Sequence, residues 1–240
     1  FWNNFPIAKL STGNDYLNPN FELIIDDTVE QNQKQKLSEY INKWIQNKIG
    51  TVLKSLIDLK NLKEKNSSIK ALAYQLYENN GVLKREQVSE YLKTLGQNER
   101  KILRDLGVKF GRYHVFLYQL IKPEAVSLRT LLWKNFHQRY YNLKPPTFGL
   151  NFLDDKESKN KNFMLLCGFE KFDTLFVRID ILERLFVLII NFSNLEENKE
   201  IKLIPEMLNL LGCSKDNFIK LLQKMGYKVY DKKDNTFFKY

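Results

Sequence analysis

Basic and aromatic residues are interleaved in the middle of the chain, and together these residue types can bind a polyanion. Residues 97–144 contain ten Lys and Arg residues against three acidic residues, so they carry an excess of seven positive charges within a chain of formal net charge +10. Tyr113, Tyr118, Tyr140 and Tyr141 lie among these charges. A concentrated basic patch attracts phosphates, and an aromatic face can stack on an unpaired base. The stretch therefore predicts contact with single-stranded nucleic acid.

The candidate contact residues fall into two groups. In and beside the central stretch they are Arg100, Arg104, Lys109, Arg112, Tyr113, His114 and Lys122. Near the end of the chain they are Lys228, Lys232 and Lys233. The cations would pair with phosphates, the tyrosine would stack on a base, and the histidine would do either. A solvated basic surface and a partly buried structural histidine are the ordinary alternatives for these residue types.

The chain contains none of the motifs of common catalytic sites. There is no GxxxxGK[ST] loop for a triphosphate, no HExxH pair for zinc and no GxSxG nucleophile turn. Cys167 and Cys213 each stand alone, which predicts reduced thiols and no zinc site. Acidic pairs at residues 26–27 and 154–155 border loops or helix starts, where capping is their usual role. We therefore expect no catalytic residue, no metal and no cofactor in these 240 residues.

The composition predicts a folded, mainly helical chain with an acidic partner. Hydrophobic residues make up 43% of the chain, which is enough for a core, and Gly and Pro are scarce. The sequence pI of about 9.3 favours nucleic acid as the partner over a membrane. The longest unbroken apolar run, residues 185–190, is far too short to span a bilayer. The first residue is Phe1 rather than Met, so we expect a fragment or a processed chain.

Three regions are predicted, within a fold that is mainly α with small β elements (α+β). Residues 1–27 form a β extension with strands near 5–10 and 21–25. Residues 28–146 form a helical bundle that begins with a long helix, 29–63, whose apolar residues recur every three or four positions. Residues 147–240 form an α+β module that contains charged loops at 154–162 and 194–200.

The end of the chain predicts a helix-turn-helix followed by a hairpin. Pro205 is placed to start one helix, and Ser214 is placed to cap a second that ends at Gly226. Two short apolar segments then flank a turn at residues 232–235. This order of elements is typical of half of a winged helix.

Several segments resemble the C-terminal accessory region of ATP-dependent, DExH-type superfamily 2 helicases. The similarity is to relatives of the mitochondrial RNA-degradosome helicase, in particular the alphaproteobacterial members. The segments are GVKFGRYHVFL (107–117), LIKPEA (120–125), LRTLLW (128–133), RIDILERL (178–185) and LIPEMLNLLGCS (203–214). They follow the same order along nearly the whole chain, although Tyr118 stands where relatives are expected to carry a proline.

The resemblance implies a non-catalytic role beside a motor. The ATP- and Mg-binding core would lie N-terminal to residue 1, and this region would pack on that core and help to enclose single-stranded RNA. An exoribonuclease is the further partner that the resemblance implies, and a bacterial cytoplasmic location is expected. DNA in place of RNA, a protein-interaction scaffold for an acidic partner, and a free-standing winged-helix DNA-binding protein are the alternatives.

Overall fold

A β-hairpin comes first in the computed structural model, which describes residues 5–26, 28–63, 67–155, 160–193 and 200–240. Strand β1 (Ala8–Asp15) pairs antiparallel with β2 (Asn18–Leu23), so the two strands predicted for the N-terminal extension form a hairpin. The strands run further into the predicted turn than expected. The reason is local: the Asp15 carboxylate accepts the N–H of Leu17 at 2.8 Å and closes the turn with two residues.

The long predicted helix is two helices. Helix α1 (Gln31–Val52) and α2 (Lys54–Lys60) meet at Leu53, whose φ of −105° and ψ of 23° are not helical. Leu53 is fully buried, so the residue at the break packs its side chain in the core. Helix α1 begins after Glu30, two residues later than predicted, and its start has no side-chain cap.

Three units of one topology follow along the described chain. The first contains α3 (Ser67–Glu78), β3 (Val82–Lys84), α4 (Ser89–Thr94), α5 (Gln97–Asp105), β4 (Val108–Phe110) and β5 (His114–Leu117). The second contains α6 (Pro123–Phe136), β6 (Phe152–Asp154), α7 (Lys161–Leu166), β7 (Phe169–Phe172) and β8 (Leu175–Arg178). The third contains α8 (Ile179–Ser193), β9 (Ile201–Lys202), α9 (Pro205–Leu211), α10 (Lys215–Lys224), β10 (Lys228–Lys232) and β11 (Asn235–Lys239).

Each unit forms a three-stranded antiparallel sheet with the same strand order. The first strand of each unit pairs with the third, and the third pairs with the second. A helix precedes the first strand, and one or two helices stand between the first and second strands. This is the winged-helix arrangement, so the helix and hairpin predicted for the third unit recur in the other two, although the described part of the second unit has the single helix α7 between its first two strands. The mixed α+β class predicted for the chain is confirmed.

A glycine occupies the same place in each of the three units, at the end of the helix that precedes the hairpin. Gly107, Gly168 and Gly226 have φ of 90°, 86° and 91°, a left-handed region that favours glycine. Each ends the helix that precedes the hairpin. The residue four positions earlier is fully buried in every unit: Leu103, Met164 and Leu222. The residue after the glycine is also buried: Val108, Phe169 and Tyr227.

The region predicted as a helical bundle, residues 28–146, also contains the three-stranded sheet of the first unit. Residues 114–117 are a buried strand, and Tyr118–Ile121 form a 3-10 turn that leads to α6. Helix α6 itself faces two cores, because Ala125 and Leu132 pack toward the N-terminal elements while Val126 and Trp133 pack toward α7. The proposed domain division at residue 146 stays a prediction.

Arg129 on α6 joins three segments inside the protein. Its guanidinium donates to the carbonyls of Asn80 at 2.5 Å, Leu120 at 2.6 Å and Leu166 at 2.9 Å. The side chain is 0% exposed, and burial lowers the pKa of Arg129 to about 10. The buried charge therefore satisfies carbonyls at the ends of α3 and α7, where no further helical N–H is available.

Two predicted features are not covered by this description. The charged loops include residues 156–159 and 194–199, which lie outside the described residues, as do residues 1–4 of the extension. Within the described residues, no helix has both the length and the apolar character needed to cross a bilayer.

Candidate nucleic-acid interface

The turn between β4 and β5, which we call the first wing (residues 111–113), is held by a carboxylate from the third unit. Glu183 on α8 accepts the backbone N–H of Arg112, and those of Tyr113 and His114 at 2.9 Å each. A Cβ atom on Gly111 would overlap this carboxylate. The glycine therefore permits the close approach through which α8 fixes the wing.

A buried ionic cluster lies directly behind the first wing. His114 is 1% exposed, and its Nε2 lies 2.8 Å from Oε2 of Glu170 on β7. Its Nδ1 lies 3.5 Å from Oε1 of Glu183, which is long for a hydrogen bond. Lys84 on β3 reaches the other oxygen of Glu170 at 3.1 Å. The cluster thus connects side chains from all three units.

The pKa shifts agree with a charged histidine between two carboxylates. Burial lowers the pKa of His114, but Glu170 and Glu183 outweigh burial and raise this pKa above its ordinary 6.5. Burial raises the pKa of Glu170, but His114 and then Lys84 outweigh burial and lower it below 4.5. The pKa of Glu183 is also lowered, because His114 and the wing N–H groups outweigh its burial.

A groove of about 600 Å³ opens between the first wing and α8, and we call it the α8 groove. Its rim carries Lys109, Arg112 and Arg184, and its apolar walls include Phe110, Phe116, Phe186, Val187 and Leu188. Tyr118 also lines it and is 42% exposed. The groove thus combines cations at its edge with apolar and aromatic surface inside.

The acidic side chains of the α8 groove are paired, whereas its basic side chains are not. Its two acidic side chains already have partners: Asp180 pairs with Arg178 through contacts of 2.7 and 3.1 Å, and Glu183 binds the wing. Lys109, Arg112 and Arg184 form no ion pair with any residue that the structure describes. The groove therefore presents uncompensated positive charge to solvent.

The predicted contact residues of the central stretch separate into exposed and internal groups. Arg104, Lys109, Arg112 and Lys122 are exposed. Arg100 is not available in the same way, because its guanidinium donates to the carbonyls of Leu92 at 2.7 Å and Leu95 at 3.2 Å. These bonds satisfy two carbonyls at the C-terminal end of α4.

His114 is buried and Tyr113 is half-buried, so neither ring lies fully open on the predicted surface. The Tyr113 ring packs edge-on against Phe186 at 5.3 Å, and burial raises the pKa of its hydroxyl. His114 belongs to the buried cluster. The His114 ring is enclosed by these contacts, whereas the half-buried Tyr113 ring keeps part of its surface exposed in a cleft beside the first wing.

The predicted residues at the end of the chain lie on the third hairpin. Lys228, Lys232 and Lys233 are exposed, and Lys232 lies 3.5 Å from Glu200. None of the three lines the α8 groove. The structure therefore does not bring the two predicted groups together in this groove.

Arg184 is a groove residue that the sequence did not single out. It lies in the segment RIDILERL, which was named above only for its resemblance to helicase accessory regions. Its position beside the first wing depends on the packing of the third unit on the first. Across the described ranges, no group of three His, Cys, Asp or Glu residues is arranged to hold a metal ion.

Comparison of the chain with family models, with curated proteins and with solved structures gives no match. The resemblance to the helicase accessory region therefore rests on the sequence segments named above.

Proposed function

We propose that the chain is the non-catalytic C-terminal region of an ATP-dependent RNA helicase and that it binds single-stranded nucleic acid in the α8 groove. One observation carries the binding proposal. Both acids of the groove accept hydrogen bonds from groups of the protein, whereas Lys109, Arg112 and Arg184 have no carboxylate partner among the described residues. A polyanion gains most from cations that have no carboxylate partner. The assignment to a helicase comes from the sequence resemblance.

The shape of the groove favours a single strand with accessible bases. Phosphates would contact the basic rim, and bases would lie against the apolar interior. The exposed ring of Tyr118 would serve as a stacking surface. Arg104 extends the basic rim, since its guanidinium lies over the ring of Phe110, a groove residue, at 5.8 Å.

The test is a salt titration of binding to a fluorescently labelled oligouridine, measured by anisotropy between about 50 and 200 mM salt. Each phosphate contact on a single strand contributes a log–log slope of about −0.7. The triple variant Lys109→Gln, Arg112→Gln, Arg184→Gln should weaken binding to every sequence and flatten the slope by about two units. Oligodeoxyuridine in parallel distinguishes RNA from DNA.

The matched control changes four lysines of the third hairpin: Lys228, Lys232, Lys233 and Lys239, each to Gln. This variant removes more charge than the groove variant but should keep most of the affinity and the slope. If the hairpin variant loses binding while the groove variant keeps both affinity and slope, the α8 groove is not the site.

A second surface favours protein contact as an additional function. An apolar groove of about 620 Å³ lies between the N-terminal hairpin, α1 and α6. Tyr40 and Trp44 at its edge are each 59% exposed, and Leu131 is 50% exposed. A contiguous apolar patch of this kind marks an interaction site. Together with the resemblance, it leads us to propose the helicase core as its occupant, which is the motor-supporting role.

Two charge insertions separate the two functions. Trp44→Glu with Leu131→Glu should abolish binding of a separately supplied core from the resembling family, yet leave oligonucleotide binding intact. Val187→Glu in the α8 groove should do the reverse. A Trp44 and Leu131 variant that binds the core as wild type does would remove the core as the occupant.

A further inference from the structure

A second basic cleft lies on the other side of the first wing. It has a volume of about 450 Å³ and is bounded by the first and second units. The residues that matter here are Arg85, Ser89, Arg112, Lys171 and Phe172. None of them except Arg112 was assigned to nucleic-acid contact above.

The charges of this cleft follow the same pattern as those of the α8 groove. Glu170 lines the cleft but is already bound to His114 and Lys84. Arg85 uses one nitrogen to donate to the carbonyl of Gly111 at 2.7 Å, which leaves its remaining N–H groups for a ligand. Lys171 forms no ion pair with a described residue. Glu86 also lines the cleft and likewise forms no ion pair with a described residue, so it offsets one of these cations. Positive charge is therefore in excess.

Arg112 connects the two cavities, since it lines both. Its backbone N–H is fixed by Glu183, and its guanidinium lies 5.3 Å from the ring of Phe186. Only the first wing separates the cavities at this point. Each cavity is within the range of about 300–1,000 Å³ that holds a small ligand, or roughly one or two nucleotides.

We propose that a single strand bound in the α8 groove crosses the first wing at Arg112 and continues into this cleft. There, Arg85, Lys171 and the Ser89 hydroxyl bind the next phosphodiester, and a base packs on Phe172. The proposal rests on the proposed function, because the α8 groove supplies the first part of the path. It adds a second subsite and a minimum length for the ligand.

The test compares oligouridines of increasing length, from dinucleotide to dodecamer, by competition against a labelled dodecamer. Wild-type affinity should rise with length until both cavities are filled. Lys171→Gln with Ser89→Ala should reduce affinity for the dodecamer about fivefold or more, and flatten its salt slope by about 0.7. The same variant should bind the shortest oligomers as wild type does, because these occupy the α8 groove alone.

A photo-crosslink provides a measurement that does not depend on a loss of affinity. A benzophenone amino acid in place of Phe172 should crosslink to the dodecamer and not to a dinucleotide. The comparison variant is Lys109→Gln with Arg184→Gln, which should weaken binding at every length. A polyglutamate peptide of equal charge should compete poorly.

The outcomes separate the two proposals. If the Lys171 and Ser89 variant binds every length as wild type does and Phe172 gives no crosslink, the strand does not enter the cleft, although the α8 groove can still be the site. If the Lys109 and Arg184 variant is also unchanged, both proposals fail. Polyglutamate that competes as well as RNA would assign the cleft to an acidic peptide and overturn the path.

Discussion

The backbone N–H of His114 donates to the Glu183 carboxylate over 2.9 Å, although the two residues lie 69 positions apart in the chain. This contact makes the position of the first wing depend on α8, which belongs to the third unit. The α8 groove has the wing as one side and α8 as the other. Its width is therefore set by a hydrogen-bonded anchor, and the anchor can be tested by substitution.

Gly111→Ala should destabilise the protein by about 1–3 kcal/mol, because the new Cβ would overlap the Glu183 carboxylate. Glu183→Ala should have a similar effect by leaving three wing N–H groups without their acceptor. The two effects should not add, since either change breaks the same contact. Urea denaturation of the single and double variants measures this coupling.

Gly50→Ala is the matched control for the anchor. A Cβ at Gly50 meets nothing within 4 Å, and the residue lies inside α1. The change should stabilise the protein by about 0.5–1 kcal/mol through helix propensity. Equal losses of stability at Gly50 and Gly111 would show that the Glu183 contact is not the cause.

Substitution of Gly107, Gly168 or Gly226, which end the helices before the three hairpins, should lower stability by different amounts. All three have positive φ, so Ala at Gly107 or Gly226 should cost about 1–2 kcal/mol from backbone strain. Gly168→Ala should cost more, because its Cβ would also lie 3.2 Å from Ile121. Gly226→Val should cost at least as much as Gly226→Ala. Melting midpoints of the three Ala variants give the order, and an unchanged midpoint at Gly226 would contradict its role in ending α10.

The stability conferred by the buried cluster should depend on pH. The raised pKa of His114 means that its contribution is complete below about pH 6.5 and is lost as pH rises through the raised value. The lowered pKa values of Glu170 and Glu183 mean that theirs is complete above about pH 4.5 and is lost as pH falls. The window in which the cluster is fully formed is therefore about pH 4.5–6.5.

His114→Gln is the variant that measures this window. The gap in unfolding free energy between wild type and variant should be largest near pH 5.5 and should narrow near pH 9. Denaturation curves at the two pH values are sufficient. A gap that stays constant with pH would mean that folding does not shift the pKa of His114, and a gap that is wider at pH 9 than at pH 5.5 would mean that the histidine is neutral in the folded protein.

Arg129→Met should destabilise the protein by about 3 kcal/mol or more, because three carbonyls lose their donor. Arg129→Lys should recover only part of this, since one ammonium cannot match the planar fork that reaches three segments. Chemical denaturation gives both values. A methionine variant as stable as wild type would show that the carbonyls find other donors.

Tyr118→Ala should weaken binding of single-stranded RNA by about 1–3 kcal/mol with little change in salt slope, as expected for a stacking ring. Tyr74→Ala is the control, because the ring of Tyr74 on α3 is also exposed but lines neither cavity. Anisotropy titrations at several salt concentrations separate the two effects. A flattened slope in the Tyr118 variant would indicate that phosphate contacts were disturbed instead.

The fold class, the N-terminal hairpin and the third unit could be predicted from the sequence because their signals are local. A capping serine, a terminating glycine and a two-residue turn act within a few positions of themselves. The glycines at 107 and 168 carry the same local signal as Gly226, so the first two units were also within reach. What hid them is that their strands are only three or four residues long.

The concentration of positive charge around residues 97–144 is likewise a property of the sequence alone. Which of those charges are free was decided only by the tertiary structure. Arg100 donates a hydrogen bond to a carbonyl of α4, and His114 pairs with a carboxylate 56 positions away. Arg184, in contrast, reaches the groove from a distant helix. A charge belongs to its residue, but its availability depends on the donors and acceptors that folding places beside it.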